Sequence, residues 1–166
     1  PGLRMMQVDH HSARQHLPAD FVTDIERWRS RSGVVKINLA LSELPEFTAD
    51  PGMPLQRYTG TLELCHSLDY IERAFQDARE GRAADRPFSD TVIPSTMDST
   101  LAPEGTHIMS MFTQWVPHTW SEQPHETELA AYTDRTIDLY TELAPNFKRS
   151  ILHRQVIGPH QMEHDY

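Results

Sequence analysis

The chain has 166 residues, of which 38% are hydrophobic, and its 24 acidic and 15 basic side chains give a formal net charge of −9. This length is enough for one domain with a modest core. The acidic balance argues against nucleic acid as a partner, because the phosphates would be repelled. The single cysteine, Cys65, excludes an intrachain disulfide and suits a reducing compartment, so we expect a cytoplasmic protein.

The first forty residues predict a strand, a helix and a second strand. Residues 3–8 suggest a short strand next to a histidine-rich stretch, where His10, His11 and His16 read as solvated side chains. Pro18 suits the first position of a helix. The apolar side chains that follow it stand at helical spacing: Phe21, Val22, Ile25 and Trp28. Residues 34–41 then form an apolar strand.

The next forty residues predict a loop, a strand and a helix. Residues 44–58 are rich in proline and form a loop, and residues 61–65 form a strand. Ser67 caps a helix that Gly81 ends. We expect the apolar side chains of this helix to face inward: Leu68, Ile71, Phe75 and Ala78.

Two strands follow, joined by a connection that contains prolines and a glycine. A short strand begins near residue 90, and a long one spans residues 106–116. Neither face of the long strand is cleanly polar, which predicts a sheet covered on both sides. Ser110 and Gln114 would then need partners, because an unpaired polar group in an apolar site costs about 1–3 kcal/mol. Such a strand is suited to the wall of a pocket.

The last forty residues predict the longest helix and a final strand. The helix spans residues 125–144, a short helical piece follows at 146–150, and a strand occupies 151–157. The inward side of the long helix carries six residues: Leu129, Tyr132, Thr133, Ile137, Tyr140 and Leu143. The whole pattern predicts one α+β domain, with a mixed, largely antiparallel sheet of about five or six strands and three main helices mostly on one face.

Lys36 is the most informative polar residue, because it stands in the middle of an apolar strand. It needs solvent, a carboxylate or a polar cavity, since isolated burial would strongly depress its pKa. An edge strand, or a side chain that snorkels past its neighbours, is the structural alternative. Our candidates for the wall of a substrate pocket share central strand positions: Lys36, Asn38, Ser110, Gln114 and Trp115. For Trp115, packing in the core is the favoured role, and no residue is assigned to catalysis.

Two further patterns bear on cofactors. The seven glycines stand too far apart for a G-x-G-x-x-G fingerprint, so we expect no nucleotide cofactor to be held by this chain alone. His160 and His164 fit the H-x-x-E-H signature of zinc peptidases. A zinc site needs a third protein ligand, and only Asp165 and Tyr166 follow, so we expect no metal there.

Three stretches carry a resemblance to a known family. Residues 93–117 read I-P-S-T-x-D-x-x-L-A-P-x-G-x-H-x-M-S-x-F-x-Q-W-x-P, and residues 36–47 and 144–166 support the match. In this order they resemble the C-terminal half of phytoene-dehydrogenase-like FAD-dependent oxidoreductases. The resemblance implies that residues 1–166 are a substrate-binding-domain fragment of a larger flavoprotein. FAD would be held by a dinucleotide-binding domain elsewhere in the parent chain, and the substrate would be a mainly apolar small molecule.

Two other readings stay open at this point. The chain could be a non-catalytic α+β module that binds a protein partner through its sheet edge or through exposed methionines and tryptophans. It could also be a small metal-dependent hydrolase that uses its C-terminal histidines. The sequence also leaves open whether the chain forms a homo-oligomer.

Overall fold

A five-stranded antiparallel sheet organises the part of the chain that the structure, a computed structural model, describes, namely residues 16–28 and 32–165. Its strands are β1 (Val34–Leu41), β2 (Leu62–Leu64), β3 (Phe88–Val92), β4 (His107–Gln114) and β5 (Ile151–Ile157). They follow one another across the sheet in the order β2-β3-β4-β1-β5. Strands β4 and β1 are therefore central. The predicted strand at residues 3–8, with His10 and His11, lies outside the described residues.

Five α-helices lie within the described ranges: α1 (Ala19–Arg27), α2 (Leu68–Arg79), α3 (Glu126–Leu143), α4 (Phe147–Ser150) and α5 (Pro159–His164). The predicted α+β class, with three main helices, is confirmed. Local signals fix the ends of α2: Ser67 Oγ accepts the Tyr70 N–H at 3.2 Å, and Gly81 follows the helix with a φ of +85°. None of the described helices is both long and apolar enough to span a membrane.

The core lies between one face of the sheet and helix α3. Alternate residues of the central strands are buried, because successive side chains of a strand point to opposite faces: Val35, Ile37, Leu39, Leu41, Met109 and Met111. Helix α3 covers them with Tyr132, Ile137 and Tyr140, as its spacing predicts. Full burial of an aliphatic side chain of this size contributes about 1.5–3 kcal/mol. This packed face therefore anchors the domain.

The inward stripe predicted for α2 is wrong in part. Only Ala74 is buried in this helix, whereas Leu68 is 85% exposed and Phe75 is 37% exposed. The helix is held by buried Ala74, by the edge of the Phe75 ring on Trp115, and by the Tyr70 hydroxyl, which donates to the Pro87 carbonyl at 2.9 Å. Helix α1 likewise has no buried residue, and Phe21 is 49% exposed. Both helices thus keep apolar side chains that the described residues do not bury.

Strand β3 brings two hydroxyl groups into the core, and both are satisfied there. Ser89 Oγ lies 2.7 Å from Thr91 Oγ1, and the Tyr140 hydroxyl donates to Thr91 Oγ1 at 2.7 Å. Burial raises the pKa of Tyr140 above its usual value, so its hydroxyl remains a donor. This cluster connects α3 to β3, the strand that pairs with β4 on the side away from β1.

We expect Tyr140→Phe to lower the free energy of unfolding by about 1–3 kcal/mol, because it leaves buried Ser89 and Thr91 with one donor too few. Tyr132→Phe is the control, since the buried Tyr132 hydroxyl makes no hydrogen bond of normal geometry among the described residues and has only Thr113 near it. Its removal should cost less stability than removal of the Tyr140 hydroxyl. Urea denaturation of both variants measures the difference, and equal losses would contradict the assignment.

Candidate functional site

The face of the sheet opposite the core is the candidate site, and we call it the open face. Its central members alternate with the core residues: Lys36, Asn38, Asp90, Val92, Ser110, Phe112, Gln114 and Gln155. The prediction that both faces of β4 are covered is wrong for the described residues, because Phe112 is 41% exposed and Val92 is 40% exposed. Apolar side chains set among polar ones on an accessible face are typical of a surface that contacts another molecule or domain.

A short hydrogen-bond chain crosses three strands of the open face. Asn38 lies opposite Ser110 of β4 on one side and Gln155 of β5 on the other. Ser110 Oγ donates to Asn38 Oδ1 at 2.9 Å, and Asn38 Nδ2 donates to Gln155 Oε1 at 3.2 Å. The partner that the sequence required for Ser110 is therefore Asn38. The bonds fix the orientation of all three side chains on the sheet.

Lys36 lies on the same face of β1, two residues before Asn38, beside the ring of Phe112. The Lys36 Nζ stands 6.0 Å from the ring centroid, and in register the lysine faces Phe112 on one side and Ile157 on the other. Loss of solvent around the amine lowers the pKa of Lys36, while the carboxylate of Asp90 opposes that shift. The site thus holds a partly desolvated amine next to an aromatic surface, which suits it to donate a hydrogen bond or to exchange a proton.

The structure brings four of the five sequence candidates together and sets the fifth apart. Gln114 lies on the open face at the end of β4, opposite Val34 and Phe88. Trp115 lies against the core instead, with its ring 5.4 Å from that of Phe75 in an edge-on contact. Its Nε1 atom is buried and has no hydrogen-bond partner among the described residues. Trp115 is therefore placed as a packing residue.

Several members of the open face escaped the sequence analysis. Asp90 on β3 lies opposite Phe112 of β4 on one side and opposite Glu63 of β2 on the other. The carboxylates of Asp90 and Glu63 are therefore neighbours on the β2 side of the open face. Gln155 completes the hydrogen-bond chain from the edge strand β5. These residues lie on strands that are distant in sequence, so no local pattern predicts which of them become neighbours. Only the strand register reveals the set.

The geometry of the glycines bears on which part of a flavin nucleotide this chain could hold. Three glycines have positive φ, and each stands alone in a separate turn: Gly52, Gly81 and Gly105. A pyrophosphate cradle needs closely spaced glycines at the start of a helix. The described residues therefore do not fit the phosphate end of FAD. What they offer is the open face, which can contact a ring system or a substrate.

Other sequence candidates are placed away from the open face. Cys65 is half-buried, with its Sγ 3.5 Å from the Ser67 carbonyl oxygen. His16 is exposed. His160 and His164 lie on α5. Within the described ranges, no group of three or more histidine, cysteine, aspartate or glutamate side chains is placed to hold a metal ion.

Comparison with known proteins shows that this chain is similar to named mammalian proteins. Rat and mouse proteins named "Pyridine nucleotide-disulfide oxidoreductase domain-containing protein 2" are each 37% identical to this chain over 161 aligned residues. The alignments cover 90% of this chain and 27% of each relative. The chain thus spans about a quarter of the length of the curated relatives it matches. Both carry an oxidoreductase name. No protein-family model matches the chain.

We expect Lys36→Met to raise the free energy of unfolding at neutral pH. The pKa of Lys36 is lower in the folded chain than its ordinary value of 10.5, so folding penalises the charged amine. The penalty is present below the folded pKa and disappears as the pH rises through the unfolded value. The advantage of the variant should therefore shrink toward pH 10.5.

Denaturation at several pH values measures this change, with Lys148→Met as the control. Lys148 Nζ lies 2.6 Å from Asp138 Oδ1, and this bond raises the pKa of Lys148. Its removal should lower stability at neutral pH, which is the opposite sign. The quantity to compare is the free energy of unfolding of Lys36→Met minus that of the unmodified chain. A difference that is smaller at neutral pH than at high pH would contradict the expectation.

Proposed function

We propose that residues 1–166 are part of the substrate-binding domain of a longer FAD-dependent oxidoreductase of the phytoene-dehydrogenase-like kind. One observation carries this proposal: residues 16–28 and 32–165 pack against one face of the sheet, and the other face aligns Lys36, Asn38 and Ser110 with apolar Val92 and Phe112. The oxidoreductase name of the rat and mouse relatives, and the 27% of their length that this chain matches, support it.

In this proposal the open face forms one wall of a pocket that the rest of the parent chain completes. When bound by the dinucleotide-binding domain, FAD supplies the chemistry of hydride removal from a C–H or C–N bond. Phe112 and Val92 contact a mainly apolar substrate and exclude water. The side chains of Asn38 and Ser110, already fixed by their mutual hydrogen bond, orient its polar end.

Lys36 has a distinct role in this pocket. Its amine is partly desolvated and stands beside the Phe112 ring, so closure of the pocket would lower its pKa further. An amine whose charged form is disfavoured in this way releases a proton from Nζ more readily than a solvated lysine does. Gln114, at the rim, adds an amide to the same wall. We propose that the chain alone is inactive and that the parent acts in the cytoplasm, as the single thiol of Cys65 favours.

The cofactor is tested with a longer polypeptide that carries the flanking segments. We expect the purified protein to be yellow, with a flavin absorbance band near roughly 450 nm, and residues 1–166 alone to be colourless. Acid release and identification of the bound nucleotide complete the measurement. A colourless longer protein would contradict the proposal.

The placement of the open face is tested without knowledge of the substrate. In a Cys65→Ser background, Ser110→Cys adds a thiol to the open face, and Thr127→Cys adds one to the exposed side of α3. We expect maleimide to label the first thiol about tenfold more slowly in the longer protein than in residues 1–166, because labelling follows exposure. The second thiol should react equally in both. Equal rates at Ser110→Cys would contradict the proposed placement.

A second candidate function is the non-catalytic interaction module. It is favoured by exposed apolar side chains away from the open face, such as Leu152 on the edge strand β5, which is 60% exposed, and Leu17, which is 46% exposed. A colourless longer protein that forms a stable complex with a partner, and loses it on Leu152→Asp, would support this function instead.

A further inference from the structure

The H-x-x-E-H pattern at the C-terminal end of the described chain has no role in the function proposed above. Helix α5 places His160 and His164 one turn apart on the same side. Their ring centroids lie 4.1 Å apart, and the ring planes differ by 28°, so the two imidazoles are stacked nearly parallel. Both imidazoles thus lie on one side of the helix, and the two Nε2 atoms can meet at one ion when the rings turn out of the stack.

The hydrogen bonds of these rings determine which nitrogen atoms are available. His164 Nδ1 lies 2.9 Å from the His160 carbonyl oxygen, and His160 Nδ1 lies 3.4 Å from the Ser121 carbonyl oxygen. A carbonyl oxygen can only accept, so in each ring Nδ1 carries the hydrogen. In the neutral ring the lone pair is then on Nε2. Metal-binding histidines are commonly oriented in this way, with the other nitrogen bonded to a backbone carbonyl.

The helix that carries the pair is closed at its first turn and contacts two other elements. The Gly158 N–H donates to Gln161 Oε1 at 3.1 Å, which closes the first turn of the helix. A Cβ atom at Gly158 would lie 3.2 Å from Leu129 Cδ2, so the chain passes tightly against α3. His160 itself reaches the turn at Ser121. The backbone that carries the pair is therefore fixed, so only the two side chains have to reorient when an ion binds.

We propose that His160 and His164 form a two-histidine binding site for a divalent transition ion of the zinc class. Imidazole nitrogen is a preferred ligand of Zn²⁺, Ni²⁺ and Cu²⁺. The expectation of no metal here concerned a site with three protein ligands, and the described residues indeed supply no cluster of three. In the two-histidine site proposed here, water or a ligand from another polypeptide fills the remaining positions. The proposal is independent of the flavin and of the open face.

Isothermal titration of Zn²⁺ into residues 1–166 at neutral pH tests the site. We expect one ion per chain, and His160→Ala or His164→Ala should each weaken binding by about tenfold or more. His153→Ala is the control for a single exposed histidine and should leave the affinity unchanged. Circular dichroism verifies that each variant keeps the fold.

A second variant separates the chelate from histidine content alone. Met162→His combined with His164→Met keeps the number of histidines but moves the second ring to another side of the helix. We expect it to bind as weakly as His164→Ala. In nitrogen-detected NMR of the unmodified chain, Zn²⁺ should shift Nε2 of both histidines and leave Nδ1 protonated. No binding, an affinity that His160→Ala leaves unchanged, or full affinity in the exchanged variant would each overturn the proposal.

Discussion

The pairing of β1 with β4 determines which side chains this protein buries and which it presents. Eight successive residue pairs join the two strands, from Val34 with Gln114 to Leu41 with His107. Side chains alternate between the faces of a sheet, so a slip of one residue would exchange the two sets. Ile37 and Met111 would then lose their place in the core, and Lys36 would enter it without a partner. The apolar face opposes such a slip strongly.

The two faces satisfy their polar groups in different ways. On the core side, Thr113 Oγ1 donates to the Val35 carbonyl, and the hydroxyls of β3 meet Tyr140. In each of these hydrogen bonds, both the donor and the acceptor lie inside the domain. On the open face, the row of hydrogen bonds runs from Ser110 through Asn38 to the exposed Gln155. In this row Gln155 uses only its amide oxygen, as an acceptor. A closed network stabilises a core, whereas one with a free end suits recognition.

Sequence reasoning recovered the elements well and their mutual arrangement poorly. The bounds of β5 and the caps of α2 follow from local signals, namely an apolar run, a serine before the helix and a glycine after it. The inward stripe predicted for α2 was wrong in part, because helical spacing shows which side chains align but not whether another element covers them. Lys36, Asn38, Ser110 and Gln114 could be singled out one by one as polar residues in apolar strands. That Asn38 bonds Ser110, 72 residues away, depends on strand register, which no short window contains.

The two edge strands of the sheet, β2 and β5, differ in how readily they could pair with a further strand. Strand β2 has three residues, and Glu63 at its centre already faces a second carboxylate on β3. Another strand arriving there would find little backbone to pair with and an unfavourable field. Strand β5 has seven residues, and the side chain of Leu152 on it is exposed to solvent. Within the described residues, the β5 side of the sheet, next to Gln155, is therefore better suited than the β2 side to pair with a further strand.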